Sequence, residues 1–282
     1  MSGSVPTMSI VVICINILLA FILPAALYFF LRRKYHGDHK VFWVGVAVFI
    51  VFSGVLERMV HSLVLMSPMG SSIQSNVWLL ALYGGLMAAL FEESGRYIAF
   101  RTMLAKNLGN NHNALMYGAG HGGIEVVMVL GITMVNNLVY TFMLNSGRAG
   151  VIMESLDPHQ QQVLAAVFSQ LLNTTPALYF AGLLERIAAL AIHMSLSVLV
   201  WFAVKDRKSF YLFPVAFAIH FIVDVVAVLL SRSGMGVYFI ELVVWLLAGL
   251  SCLFAWRVWV DPQKRRTGRH AWMTAHSKRN NS

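Results

Sequence analysis

Apolar residues in this chain run in long blocks separated by short polar breaks, with none of the strict alternation that marks a half-buried strand. Seven blocks reach the roughly 20 residues that cross a bilayer as a helix. They lie at about 8–31, 41–66, 77–100, 113–144, 175–204, 209–230 and 236–260. These blocks use most of the 282 residues, so the pattern predicts an all-α, polytopic membrane helix bundle: one domain over 1–260 and a polar, basic tail over 261–282. A hydrophobic content of 58%, a charged content of 12% and a mean hydropathy of +0.70 agree with that class and exclude an ordinary soluble domain. The first block has its positive charges after it and no small-residue cleavage site, which predicts a retained span and not a removed signal peptide.

The net charge of +9 would fit nucleic acid if the basic residues formed an aromatic-interleaved surface, but they sit in loops and the tail. Membrane topology accounts for them. Arg32, Arg33, Lys34, Lys40, Arg101, Lys106, Lys205, Arg207 and Lys208 fall in alternate connections, and seven more lie from Arg257 to Arg279. Only Arg148 and Arg232 lie on the other side, so sixteen against two predicts the N-terminus outside and the C-terminus cytoplasmic. The tail is expected to contact anionic membrane lipids. The longest outer connection, 145–173, contains an apolar stretch from Val163 to Phe168 that could lie on the membrane surface, as a lipid-facing tether or near a substrate entrance. Cys14 and Cys252 lie within spans and are expected to act as small apolar residues.

The third block carries Glu92, Glu93 and Arg96 inside it. A charge at that depth is costly unless it is paired or faces a polar cavity, so intramembrane ionisable residues mark candidate sites. Arg96 stands one turn beyond both glutamates and can pair with either, which leaves one carboxylate for a neighbouring helix. At about 1.5 Å per residue, Glu92 is about 13 Å from the cytoplasmic end and His121 about 12 Å, with His220 and His193 at about 17 and 18 Å. Four consecutive spans thus place carboxylates and imidazoles between the cytoplasmic half and the bilayer centre. His121 with Glu125, and His220 with Asp224, are i and i+4 pairs in which a carboxylate can orient an imidazole. Glu185 shares a stripe with His193 but sits about 12 Å nearer the outside, as a support or a gate. Gly118 and Gly122 have the small-xxx-small spacing of close helix approach, expected to bring His121 to Glu92 or Glu93. Glu57, Arg58 and His61 form a separate group in the outer half of the second span, expected to be a structural network.

These residues form a set of motifs: Glu92, Glu93 and Arg96 as EExxR; His121, Gly122, Gly123 and Glu125 as HGGxE; Glu185, Ala189 and His193 as ExxxAxxxH; His220 and Asp224 as HxxxD. In these motifs, and in span order over nearly its whole length, the chain resembles the YhfC group of predicted intramembrane peptidases. That group is a branch of the clan containing the CAAX prenyl endopeptidases, the bacteriocin-processing and immunity proteins, PrsW-type proteases and the APH-1 subunit of γ-secretase. The second motif departs from the FxxxH of the CAAX enzymes. The resemblance implies a multi-pass protein of the bacterial inner (plasma) membrane that hydrolyses a peptide bond in a membrane-protein, peptide or lipidated substrate, with no nucleic acid involved. It implies that Glu92 or Glu93, with His121 and His220, holds and activates a water; on the spacings above, Arg96 is expected to fix one of the glutamates, Glu125 and Asp224 to orient the histidines, and Glu185 and His193 to extend the cavity.

Peptide hydrolysis needs a water deprotonated, an oxyanion stabilised and an amine protonated, and a buried glutamate can serve as base and then acid. Histidine and carboxylate ligands holding a catalytic zinc are the other route, and the residues leave both open. There is no HExxH, no rhomboid-like GxSG and no GxGD in a span, which removes the zincin, serine and presenilin-type solutions. Two other classes fit the same residues: a proton- or cation-coupled transporter using them as a relay, and a non-catalytic scaffold or immunity protein.

Overall fold

The computed structural model describes residues 3–261, so apart from Asp261 the basic tail lies outside the described residues. The described chain is helical and contains no strand. In chain order the helices are α1 Thr7–Tyr35, α2 His39–Leu65, α3 Pro68–Ser75, α4 Val77–Arg101, α5 His112–Asn145, α6 Ala149–Glu154, α7 Pro158–Asn173, α8 Pro176–Lys205, α9 Leu212–Arg232 and α10 Val237–Val260. Seven of them are long and apolar enough to cross a membrane, and each lies on one of the seven apolar blocks of the sequence. Two contain a π-helical turn, Phe52–Glu57 in α2 and Val127–Gly131 in α5.

Local chemistry sets several ends. Asn76 accepts hydrogen bonds from the backbone of Trp78 and Leu79 and so starts α4. Asp157 and Gln160 form a reciprocal capping box at the start of α7, with Pro158 in the first turn where its missing N–H costs nothing.

The described residues group into two compact units, whose boundaries fall within α1, α5 and α8. The first contains the residues up to Leu23 and Glu125–Arg186. In it Asn145 exchanges two hydrogen bonds with the Val5 backbone, at 2.8 and 3.1 Å. Asn16 donates to the Tyr179 carbonyl at 2.7 Å. Helix α7 belongs to this unit, and it buries Phe168 and Leu171 against protein, so these side chains do not face lipid.

The second unit contains Pro24–Ile124 and the chain from Ile187 onward. Its core is the second half of α8, where Leu196 to Ala203 is buried without a break. A helix that is apolar all round belongs in an interior, and α8 buries 72% of its most apolar window against 17–33% for the other six spans. Trp201 and Tyr117 meet the ring of Phe100 edge-on at 4.9 and 4.5 Å. The outward sides of the other spans carry exposed Leu, Phe and Trp, such as Leu250 and Trp256, the surface a hydrocarbon solvent requires.

Glycines set the helix spacing in this unit. A Cβ on Gly45 would come 2.4 Å from the Tyr117 carbonyl oxygen, and one on Gly120 would come 2.1 Å from that of Phe42. Helices α2 and α5 therefore cross at backbone contact. A Cβ on Gly118 would reach 2.6 Å from Met194 Cα. The small-residue stripe thus seats α5 against α8.

Candidate metal centre

Helix α4 supplies the acidic half of the site. Adjacent residues on a helix project about 100° apart, so Glu92 and Glu93 address different neighbours. Glu93 pairs with Arg96 one turn along, and both side chains are fully buried. Such a pair costs less in an interior as more of its remaining polar atoms are engaged, and here Glu93 Oε2 and Arg96 Nε have no hydrogen-bond partner among the described residues. His220 of α9 engages the other carboxylate oxygen, with Nδ1 2.8 Å from Glu93 Oε1. Its Nε2 lies 3.4 Å from Asp224 Oδ2 on the next turn. Both nitrogens of His220 thus face carboxylate oxygens. Asp224 is a third exposed, the most accessible side chain of the cluster.

Glu92 is the carboxylate left over. Its Oε2 lies 2.9 Å from His121 Nε2 of α5 and 3.7 Å from His193 Nδ1 of α8. His193 Nδ1 is also 3.2 Å from Arg96 Nη2, so the guanidinium ties the two halves of the site together. The rings of His121, His193 and His220 follow one another with centroids 5.2 and 5.3 Å apart. Phe49 meets His121 edge-on at 5.1 Å, and Tyr117 stacks on it from one turn below at 5.8 Å. The whole cluster lies within the second unit.

Of the residues singled out from the sequence, Glu92, Glu93, Arg96, His121, His193, His220 and Asp224 come together. Glu125 and Glu185 belong to the first unit. Glu125 accepts from Arg186 at 2.8 Å, and Arg186 also holds Glu185, so the two carboxylates share one guanidinium in the first unit. His121 pairs through Nε2 with the Glu92 carboxylate on another helix, and its buried Nδ1 has no hydrogen-bond partner among the described residues. His193, placed by the sequence as a wall of the cavity, stands at its centre.

Two features were missed. One is the contact of Arg96 with His193 across 97 positions, which no local spacing signals. The other is Tyr117, whose signal is the aromatic-x-x-x-His spacing to His121. The outer group in α2 is a hydrogen-bond chain: Glu57 accepts from Ser53 at 2.9 Å and lies 3.2 Å from His61 Nε2, while His61 Nδ1 meets the Tyr83 hydroxyl at 2.9 Å. Arg58 is exposed beside it.

Glu92, His121 and His193 together meet the geometric requirement for a metal ion. One ligand atom from each lies within 4.8 Å of the others, and all three residues are buried. Two imidazoles and one carboxylate are a donor set of catalytic zinc sites that leaves a position open. The 2.9 Å between Glu92 Oε2 and His121 Nε2 suits two ligands of one ion, each about 2 Å from it. One condition follows from His193: its Nδ1 lone pair cannot serve Arg96 and a metal at once. If Nδ1 is the ligand, Arg96 must rest on Glu93 alone.

A family model described as YhfC intramembrane metalloprotease matches residues 18–245. The chain is 34% identical over 260 residues to a Bacillus subtilis (strain 168) protein named "Uncharacterized membrane protein YhfC". That match covers 91% of this chain and 97% of the relative. No solved structure matches. With Glu92, Glu93, Arg96, His121, His193, His220 and Asp224 gathered from α4, α5, α8 and α9 of a seven-span, multi-pass membrane bundle, and with the match running through nearly all of the spans, the chain belongs to the YhfC intramembrane metalloprotease family.

Proposed function

We propose that this chain is an intramembrane endopeptidase of the bacterial inner membrane whose reacting centre is Glu92, His121 and His193. The observation that carries the reading is the convergence of these three buried ligand atoms within 4.8 Å from three different helices. A divalent metal held there supplies Lewis acidity, polarising a carbonyl and making water a stronger acid. The other residues position and move protons. Arg96, locked to Glu93, orients that carboxylate and holds a fixed positive charge beside His193, suited to stabilising an oxyanion in a site of low dielectric. His220, clamped between Glu93 at Nδ1 and Asp224 at Nε2, takes up the proton that the attacking water gives up and passes it to the leaving amine. Asp224, the most accessible member, exchanges that proton with water. The apolar surroundings exclude other water, and the substrate is a membrane-embedded or lipidated polypeptide reaching the site from the lipid side.

A metal-free form of the same chemistry is favoured by one contact, the 3.2 Å approach of Arg96 Nη2 to His193 Nδ1, which satisfies that nitrogen without an ion. In that form Glu92 itself takes the proton of the water and returns it to the amine, with His121 as its partner. Elemental analysis of the purified protein separates the two. The metal reading expects about one zinc-class ion per chain, lost in both His121→Ala and His193→Ala, and activity abolished by a chelator and restored by metal. A metal-free protein of full activity would leave only the glutamate form.

A further inference from the structure

Tyr117 stands one turn before His121 on α5 and is fully buried. Its ring stacks on the His121 imidazole, with centroids 5.8 Å apart and planes 27° apart, and meets Phe100 of α4 edge-on at 4.5 Å. These two contacts fix the direction of the side chain. His121 reaches α4 with Nε2, 2.9 Å from Glu92. A tyrosine lying alongside it is the longer side chain, so its hydroxyl carries past the imidazole toward the same stretch of α4. The charges that act on it most are accordingly on that helix, Arg96 first and then Glu93 and Glu92.

Enclosed as it is, the hydroxyl has no hydrogen-bond partner among the described residues, and neither has Arg96 Nε, whose residue is also fully buried. Buried donors are ordinarily satisfied. Packing gives no reason for this one, because phenylalanine would fill the same space, keep both ring contacts and leave no polar group unmatched. The side chains of Glu92 and His193 are 8% and 7% exposed, whereas Arg96 and Tyr117 are closed off from the surface. An oxygen brought in between Glu92 and His193 would therefore meet two waiting donors in the interior, the guanidinium and the phenol.

We propose that Tyr117 is a further catalytic residue, whose hydroxyl donates, beside Arg96, to the oxyanion that forms when water attacks the scissile carbonyl. The assignment rests on the peptidase reading. Attack forms the new C–O bond and moves the carbonyl π pair onto oxygen, which then accepts from the phenol. When the C–N bond breaks, the pair returns to the carbonyl and the tyrosine still holds its proton. The proton of the water travels to the amine by the route already described, so Tyr117 serves the metal and the metal-free forms alike. A donor aimed at charge that exists only in the transition state raises kcat and leaves ground-state binding nearly unchanged.

The test uses purified full-length protein in lipid nanodiscs. Its probe is a synthetic peptide spanning a bond whose new N-terminus appears in cells with wild type and not with Glu92→Gln. Tyr117→Phe keeps the ring and removes only a hydroxyl without a partner, so its unfolding temperature should not fall below that of wild type. The expected result is a kcat lower by about a hundredfold or more, with KM and bound metal as in wild type. A kcat near wild type, with or without a change in KM, overturns the assignment. So does a loss of kcat that comes with a lower unfolding temperature or less bound metal, since the hydroxyl would then be structural. If wild type makes no terminus that Glu92→Gln lacks, the peptidase reading falls and takes the assignment with it. Cleavage by wild type that Tyr117→Phe matches removes the assignment alone.

Discussion

Glu92 and Glu93 are neighbours in sequence with opposite duties. Glu93 and Arg96 are both fully buried and depend on each other, so Glu93→Gln leaves a guanidinium without its counter-charge in an interior, a loss on the order of 3–5 kcal/mol. Glu92 faces two imidazoles while Arg96 is locked to Glu93. Glu92→Gln is therefore expected to remove activity, by at least about a hundredfold, whether the carboxylate holds the metal or takes the proton of the water, and to leave thermal stability near wild type. Thermal unfolding in detergent, with each variant compared at matched concentration, checks the difference; equal losses in the two variants would contradict the division of roles. The sequence showed that Arg96 could serve either glutamate but not which one. Spacings of three and four residues are both compatible with a pair, and the choice is made by helices far away in the chain, through His121 and His193 on one side and His220 on the other. His193 was undervalued for the same reason: its neighbours on its own helix say nothing about Arg96.

Helix positions were largely legible, because hydrocarbon demands long apolar runs and the chain has seven. The glycines near His121 were legible as a close-contact surface, but their partners were not. Gly118 faces Met194 of α8 whereas Gly120 faces the Phe42 carbonyl of α2. Gly45→Ala and Gly120→Ala should each force α2 and α5 apart and cost about 1–3 kcal/mol through overpacking. They should also lower activity by moving His121. Gly84→Ala is the control on α4, since its Cβ would meet nothing within 4 Å, and removing a helix glycine should stabilise by roughly 0.5–1 kcal/mol. Unfolding temperatures of the three variants test this, and a Gly84→Ala loss equal to the other two would refute the close-contact account. The π turns at Phe52–Glu57 and Val127–Gly131 left no mark in the hydrophobic pattern, because one extra residue in a turn does not break an all-apolar run.

For the whole molecule, the charge asymmetry of the connections proposes an outside N-terminus and a cytoplasmic loop after α4. Ser146, after α5, and Gly109, between α4 and α5, are both exposed. Single cysteines introduced at these two positions, in a chain with Cys14 and Cys252 replaced by alanine, should react with an impermeant maleimide from opposite sides of the membrane, Ser146→Cys in intact cells and Gly109→Cys only after permeabilisation. The reverse pattern would invert the orientation. Glu125 and Glu185 share Arg186 in the first unit, a pairing the motifs do not announce, since motif spacing gives the register along a helix and not the partner across it.

The central claim is that Glu92 is the reacting carboxylate of a peptidase, and a quantitative survey of new protein N-termini in membranes from cells expressing wild type or Glu92→Gln at matched levels tests it most directly. The account predicts a small set of termini, in or beside membrane-spanning segments, present with wild type and absent with Glu92→Gln. An unchanged set of termini between the two would contradict it and leave the same buried cluster to binding or transport.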